Sequence, residues 1–174
     1  MLSLPALLLT LTAALAAPTS TPTKDFSGYG QLRTLYIHDD HEDLGCLTAV
    51  GKWTADESQC GIFVAEQLPA PPQVLSNFQL SAPGIGNCGI EVATFKCGED
   101  VKPVTFGTWG TKGPVPGRDV LRYSQYGVFA TNAADSPPAL KDEALDIHFY
   151  SGAEKGKWVW LGWEFLFDID SDDE

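Results

Sequence analysis

The stretch NCGIEVATFKCG, residues 87–98, decides the fold. With Val92 and Ala93 as the two turn residues of a hairpin, Glu91 faces Thr94, Ile90 faces Phe95, Gly89 faces Lys96 and Cys88 faces Cys97. In a two-residue hairpin the pair beside the turn is hydrogen-bonded, and the pairs alternate outward from it. Cys88 and Cys97 then form a non-hydrogen-bonded pair, with Cα atoms ~4.5–5.5 Å apart and within reach of a disulfide. Ile90 and Phe95 share one face and should pack inward. Val-Ala is a poor sequence for a primed turn, which favours Asn-Gly or Asp-Gly.

The chain has four cysteines, Cys46, Cys60, Cys88 and Cys97. An even count in a secreted chain argues for two disulfides, and four cysteines allow three pairings. The hairpin pairs Cys88 with Cys97 and leaves Cys46 with Cys60. By loop-closure entropy each bridge contributes roughly 3 kcal/mol. GCLTAVGKWTADESQCG, residues 45–61, therefore reads as a staple, with Trp53 packed over the Cys46–Cys60 bridge as a lid. The segment shows no reactive group apart from Asp56 and Glu57, exposed at a turn.

Outward from these segments, apolar residues come in short runs or strict alternation, separated by Gly, Pro, Asn, Asp and Ser. Helical periodicity is nearly absent, which is the pattern of an all-β domain. Strands are predicted at 30–37, 45–50, 59–67, 77–81, 88–92, 94–97, 104–109, 119–130, 144–151 and 157–167. ALKDEAL, 139–145, is the one segment suited to a helical turn. In DIHFYS, Ile147 and Phe149 point one way and Asp146, His148 and Tyr150 the other. GAEKGK should turn that strand into a hairpin with 158–167, whose apolar residues on both faces place it centrally. The expectation is one β-sandwich or barrel-like domain, mostly antiparallel, stapled by two disulfides.

The chain opens MLSLPALLLTLTAALAAPTS. Residues 1–16 read as a secretory signal peptide ending in an A-x-A pattern at Ala14 and Ala16. Residues 17–25 form a flexible Pro/Thr-rich lead-in, and 168–174 an acidic tail. The expected location is extracellular. The remaining roughly 155–160 residues suffice for one domain with a real core. WVWLGWEFLF, 158–167, is half the length of a membrane-spanning helix. The formal net charge is −12, which repels nucleic acid and anionic membranes. Asn77, Asn87 and Asn132 all lack the N-x-S/T acceptor pattern.

The order FSGYGQL, GCLTAVGKW, QCGIFVAEQ, FQLSAPGIGNCGIEVATFKCG resembles the C-terminal accessory domain of fungal secreted ribonucleases of the T2 family. VFATNAADSPPAL and KWVWLGWEF fit its tail more loosely, so the resemblance spans about residues 26–167. The chain departs from it in the enlarged loop HDDHEDLG, a longer segment after Cys60, and the tail DIDSDDE. T2 ribonucleases use histidines in two short motifs of a preceding catalytic domain. The histidines here are His38, His41 and His148, and none lies in a Trp-Pro-x-His or His-Glu-x-x-Lys-His context. The resemblance thus implies a stand-alone accessory domain, not an enzyme, associated with cell-wall carbohydrate.

Other chemistry gives way to plainer readings. HDDHED, 38–43, could attract a cation but reads as a solvated hairpin loop. DIDSDDE imitates the start of an EF-hand loop without its later Gly and Glu. GIGNCG, 84–89, matches G-x-G-x-x-G, yet a hairpin follows it where a dinucleotide site needs a helix. There is no G-x-S-x-G elbow, and both disulfides leave no free thiol nucleophile. No cofactor, metal or catalytic residue is expected. The candidate ligand-binding residues are Trp158 and Trp160, on one strand face about 7 Å apart, a spacing suited to stacking on sugar rings. Burial as the second side of a core strand is the competing reading, and Trp53 and Trp109 share that ambiguity. Two functions follow: a secreted non-catalytic module binding cell-wall polysaccharide, or a secreted effector meeting a basic extracellular protein partner through its acidic surface.

Overall fold

Alternating burial along short runs builds strands in this chain. Asn77–Ala82 shows it plainly, with Phe78, Leu80 and Ala82 buried and their neighbours half-exposed. The computed structural model describes residues 26–37, 41–69, 77–109, 113–123, 129–131, 138, 143–149 and 158–169, with the backbone alone for 129–131 and Trp158. The expected leader and lead-in, and the tail past Ile169, lie outside the described residues.

Among the described residues there are twelve strands: β1 (Gly28–Tyr36), β2 (Asp43–Leu47), β3 (Lys52–Thr54), β4 (Phe63–Gln67), β5 (Asn77–Ala82), β6 (Gly86–Glu91), β7 (Thr94–Gly98), β8 (Phe106–Thr108), β9 (Leu121–Arg122), β10 (Phe129–Thr131), β11 (Leu145–Phe149) and β12 (Trp158–Phe167). Their pairings are antiparallel. Running β1–β2–β3–β11–β7–β6–β5–β4 and back to β1 closes a ring of eight strands. Closure removes the free edges that an open sheet would expose. β12 lies along the whole of β1 outside this ring, while β8 and β9 extend from β5.

The hairpin β6–β7 keeps the register read from the sequence at every pair, Cys88 opposite Cys97 and Ile90 opposite Phe95 included. Val92 and Ala93 both have positive φ, +47° and +66°, as a type I′ turn requires. Phe95 is buried, and Ile90 packs against the core. The core holds large aromatics in sequence. Phe26 stacks on Phe78 at 4.7 Å and on Trp163 at 5.1 Å, and Phe78 meets Phe106 at 6.1 Å. Each such side chain contributes roughly 1.5–3 kcal/mol on burial. Gly30 is required beneath Trp163, because a Cβ there would lie 2.5 Å from the indole Cζ2. A second, smaller cluster of Leu35, Val115, Val120 and Trp160 covers the outer face of β1 and β12.

Several expectations are corrected. The segment 45–50 is a strand ending at Leu47, and Lys52–Thr54 is a further strand that alternation did not reveal. The start of 59–67 is not extended: Glu57–Gln59 forms a 3-10 turn capped by Asp56, and the strand begins at Phe63. Of the predicted strand 119–130, the described residues form β9 and the start of β10, which pair with different neighbours, and residues 124–128 lie outside the described residues. β11 and β12 do not form a hairpin with each other. β10 lies between them, with Ala130 opposite both His148 and Trp158. The other edge of β11 is held by β3 and β7. The helical turn expected at 139–145 falls mostly outside the described residues, and its last residue, Leu145, opens β11.

Candidate functional site

Both disulfides form as read, Cys46–Cys60 with Cα atoms 5.5 Å apart and Cys88–Cys97 at 4.0 Å. The short second separation suits a non-hydrogen-bonded pair. Trp53, however, does not cover the first bridge. Cys46 pairs with Arg33 and Thr54 across β1 and β3, whereas Leu47 pairs with Trp53. Neighbouring residues of a strand face opposite ways, so Trp53 belongs to the inner face and the bridge to the outer one. Trp53 is buried in the core and donates its Nε1–H to the Leu44 carbonyl at 3.1 Å.

The bridge is covered by Arg33, a residue that the sequence did not single out. Its Nη1 lies 3.5 Å from Cys60 Sγ. Its guanidinium binds Asp43 through Nε and Nη2 at 3.0 and 3.1 Å. It binds Glu57 through Nη1 and Nη2, both at 2.7 Å. Gln31 accepts at 3.3 Å, and Glu164 lies 3.5 Å from Nε. Five planar donors suit two bidentate carboxylates, which a lysine could not satisfy. The Glu57 carboxylate, followed by Asp43, pushes the guanidinium pKa up against the opposing effect of burial. Arg33 in turn holds Glu57 below the usual carboxylate range. Asp56 is also lowered, chiefly by hydrogen bonds from the Ser58 hydroxyl, then Gln59 and the Ser58 N–H. The β1 alternation in GYGQLRTLY was the available signal, since it puts an arginine on the outer face among acidic loops.

The tryptophans divide. Trp160 is only 8 % exposed and packs with Leu35, Val115 and Val120. It does not offer the open indole face that stacking on a sugar needs. The side chain of Trp158 lies outside what the structure describes. Trp163 is fully buried. Trp109 differs: 38 % of it is exposed, just past the end of β8. Its backbone N–H donates to the Val120 carbonyl, and the Arg122 guanidinium sits 5.5 Å from its ring centroid. This is a cation–π contact against one face of the indole.

The two described histidines, His41 and His148, have separate surroundings. His38 lies outside the described residues, His41 Nδ1 is 3.2 Å from the Tyr36 carbonyl oxygen in the β1–β2 loop, and His148 Nδ1 meets Thr94 Oγ1 at 2.9 Å. Among the described residues, no group of three His, Cys, Asp or Glu could hold a metal ion. No described helix is long and apolar enough to cross a membrane. Of GIGNCG, Gly84 and Ile85 lie in the turn between β5 and β6, and the rest belongs to β6.

The described residues form a closed, disulfide-stapled antiparallel β-barrel with an arginine–carboxylate cluster on its outer face. Residues 24–142 match the family RNase T2-like C-terminal domain, and the chain belongs to that family. The match takes in the domain at the C-terminal end of such proteins and no catalytic domain. Neither a curated protein nor a solved structure matches the chain. β11 and β12, which help complete the barrel and its outer layer, lie past the matched segment.

Proposed function

We propose that this chain is a secreted, non-catalytic module that binds cell-wall polysaccharide, with Trp109 as the stacking residue. The observation that carries this reading is the partly exposed indole of Trp109, with the Arg122 guanidinium against its ring, on a stapled β scaffold. A pre-oriented aromatic loses little side-chain entropy when a pyranose ring stacks on it. Membership of an accessory-domain family and the absence of a matched catalytic domain support the same reading. Trp109 is preferred to Trp160 here because the Trp160 indole is packed against Leu35, Val115 and Val120.

The test is co-sedimentation of the mature protein with insoluble chitin, β-1,3-glucan and cellulose at low and high salt, beside Trp109→Ala. Binding that resists salt and is lost in the variant supports the reading. Equal sedimentation of the two proteins, or no sedimentation on any polymer, overturns it. The second reading, an interaction protein for a basic partner, draws on the −12 charge and on the outer-face carboxylates Asp43, Glu57 and Glu164. Such binding would weaken steeply with salt, whereas sugar stacking would not.

A further inference from the structure

We infer that the Trp109 site takes a hexuronate: an isolated acidic sugar of an otherwise neutral glycan, its pyranose ring stacked on Trp109 and its carboxylate bound by Arg122. This names the ligand class of the stacking site and rests on that reading. β8 and β9 bring the two side chains together. Gly107 pairs with Arg122 and Thr108 with Leu121, and the Trp109 N–H bonds the Val120 carbonyl. Alternation puts Thr108 and Leu121, both buried, on one face, and Trp109, Val120 and Arg122 on the other. Opposite Arg122 stands Gly107, which has no side chain, so across the strands Arg122 meets Trp109, its diagonal neighbour.

Arg122 differs from the other two arginines. Arg33 binds Asp43 and Glu57, and Arg118 lies 3.7 Å from Asp43. Among the described residues, no carboxylate lies within 4.0 Å of the Arg122 guanidinium, although the chain carries 23 Asp and Glu against 11 Lys and Arg. The indole does not neutralise the cation. At 5.5 Å from the ring centroid, near the long end of the ~6 Å contact range, the guanidinium is not pressed flat on the ring. Its fork of N–H donors is open to a group at the rim of a stacked sugar. A planar carboxylate matches that fork through two parallel hydrogen bonds. A hexuronate carries its carboxylate directly on the pyranose ring, where a neutral hexose has a hydroxymethyl group. A phosphomonoester would bring close to two negative charges instead of one. The net charge of −12 limits how densely the glycan can be charged. A continuous polyuronide would hold a carboxylate on every sugar against an acidic surface, whereas a lone uronate meets only Arg122 at short range.

The experiment is titration calorimetry of the mature protein, Trp109→Ala, Arg122→Gln and Arg122→Lys at low and high salt. The ligands are the hexasaccharides of chitin, β-1,3-glucan and cellulose in four forms: neutral, with one C6 hydroxymethyl oxidised to carboxylate, with that carboxylate methyl-esterified, and fully oxidised. On the backbone that binds, one carboxylate should tighten binding about tenfold over the neutral chain at low salt, and less at high salt. Methyl esterification and Arg122→Gln should each erase that gain, and Arg122→Lys should keep only part of it. Arg122→Gln should leave the affinity for the neutral chain in place. The fully oxidised chain should bind more weakly than the singly oxidised one. Equal affinity for neutral and singly oxidised chains overturns this inference and leaves the stacking reading standing. So does a uronate preference that survives Arg122→Gln, or a fully oxidised chain that binds as tightly as the singly oxidised one. Absence of binding to every sugar, or binding unchanged in Trp109→Ala, overturns both.

Discussion

Arg33 and Glu57 meet through two parallel hydrogen bonds of 2.7 Å each, across 24 residues of sequence. Arg33 stands on β1, and Glu57 on the 3-10 turn that leads to Cys60. The ion pair and the Cys46–Cys60 bridge therefore tie the same turn to the same patch of barrel. Arg33 adds Asp43 of β2 to that tie.

Removing the cation should cost more than removing any one anion. Arg33→Ala leaves Asp43, Glu57 and Glu164 facing one another beside the Cys46–Cys60 disulfide. A loss of about 2–3 kcal/mol is expected, reduced from the value for a fully buried pair because the carboxylates are partly in water. Glu57→Gln keeps one acceptor and should cost about 1 kcal/mol or less. Urea unfolding of the three proteins at neutral pH checks the order.

The same pair gives the fold an acid dependence of known sign. Glu57 has a folded pKa below its unfolded value of about 4.3, so the folded state binds fewer protons there. Its stabilisation is present above that value and is lost as pH falls through the lower folded pKa. Asp56 contributes with the same sign. Thermal unfolding should show stability declining from about pH 4.3 downward, with a shallower decline in Glu57→Gln.

The two disulfides should differ in what their loss does. Each closes a short loop and contributes about 3 kcal/mol by chain entropy. Cys46→Ser/Cys60→Ser should also loosen the turn carrying Glu57, so its further loss on adding Arg33→Ala should be smaller than in wild type. Cys88→Ser/Cys97→Ser should add independently with Arg33→Ala. A double-mutant cycle in urea reads the difference.

The tryptophans should separate stability from binding. Trp160→Ala empties the outer cluster and should cost about 3–5 kcal/mol. Trp109→Ala, at a half-exposed position, should unfold within about 1 kcal/mol of wild type. Differential scanning calorimetry distinguishes them.

How much of this was legible depended on the range of the signal. The β6–β7 register could be read because cysteine spacing and strand alternation act over twelve residues and agree. Alternation also put Trp160 on the face opposite Leu161 correctly. It could not show that Val115 and Val120, from an irregular segment, cover that face. The predicted strand 119–130 reached into β10, but the place of β10 between β11 and β12 is set by distant partners and carries no local signal. Arg33 escaped for a related reason. Its outward direction was readable, but its partners lie 10 and 24 residues away on a loop and a 3-10 turn. Trp53 was misplaced because the lid was assigned by nearness in sequence, without asking which face of β3 it occupies.

The most direct measurement follows the indole N–H resonances of the 15N-labelled protein by NMR during titration with soluble hexasaccharides of chitin, β-1,3-glucan and cellulose. The account predicts that the Trp109 resonance, assigned by its absence from Trp109→Ala, shifts in a saturable way with one of the three, while those of Trp53 and Trp163 stay fixed. If the Trp109 resonance does not move with any of the sugars, the chain is not a polysaccharide-binding module through this site.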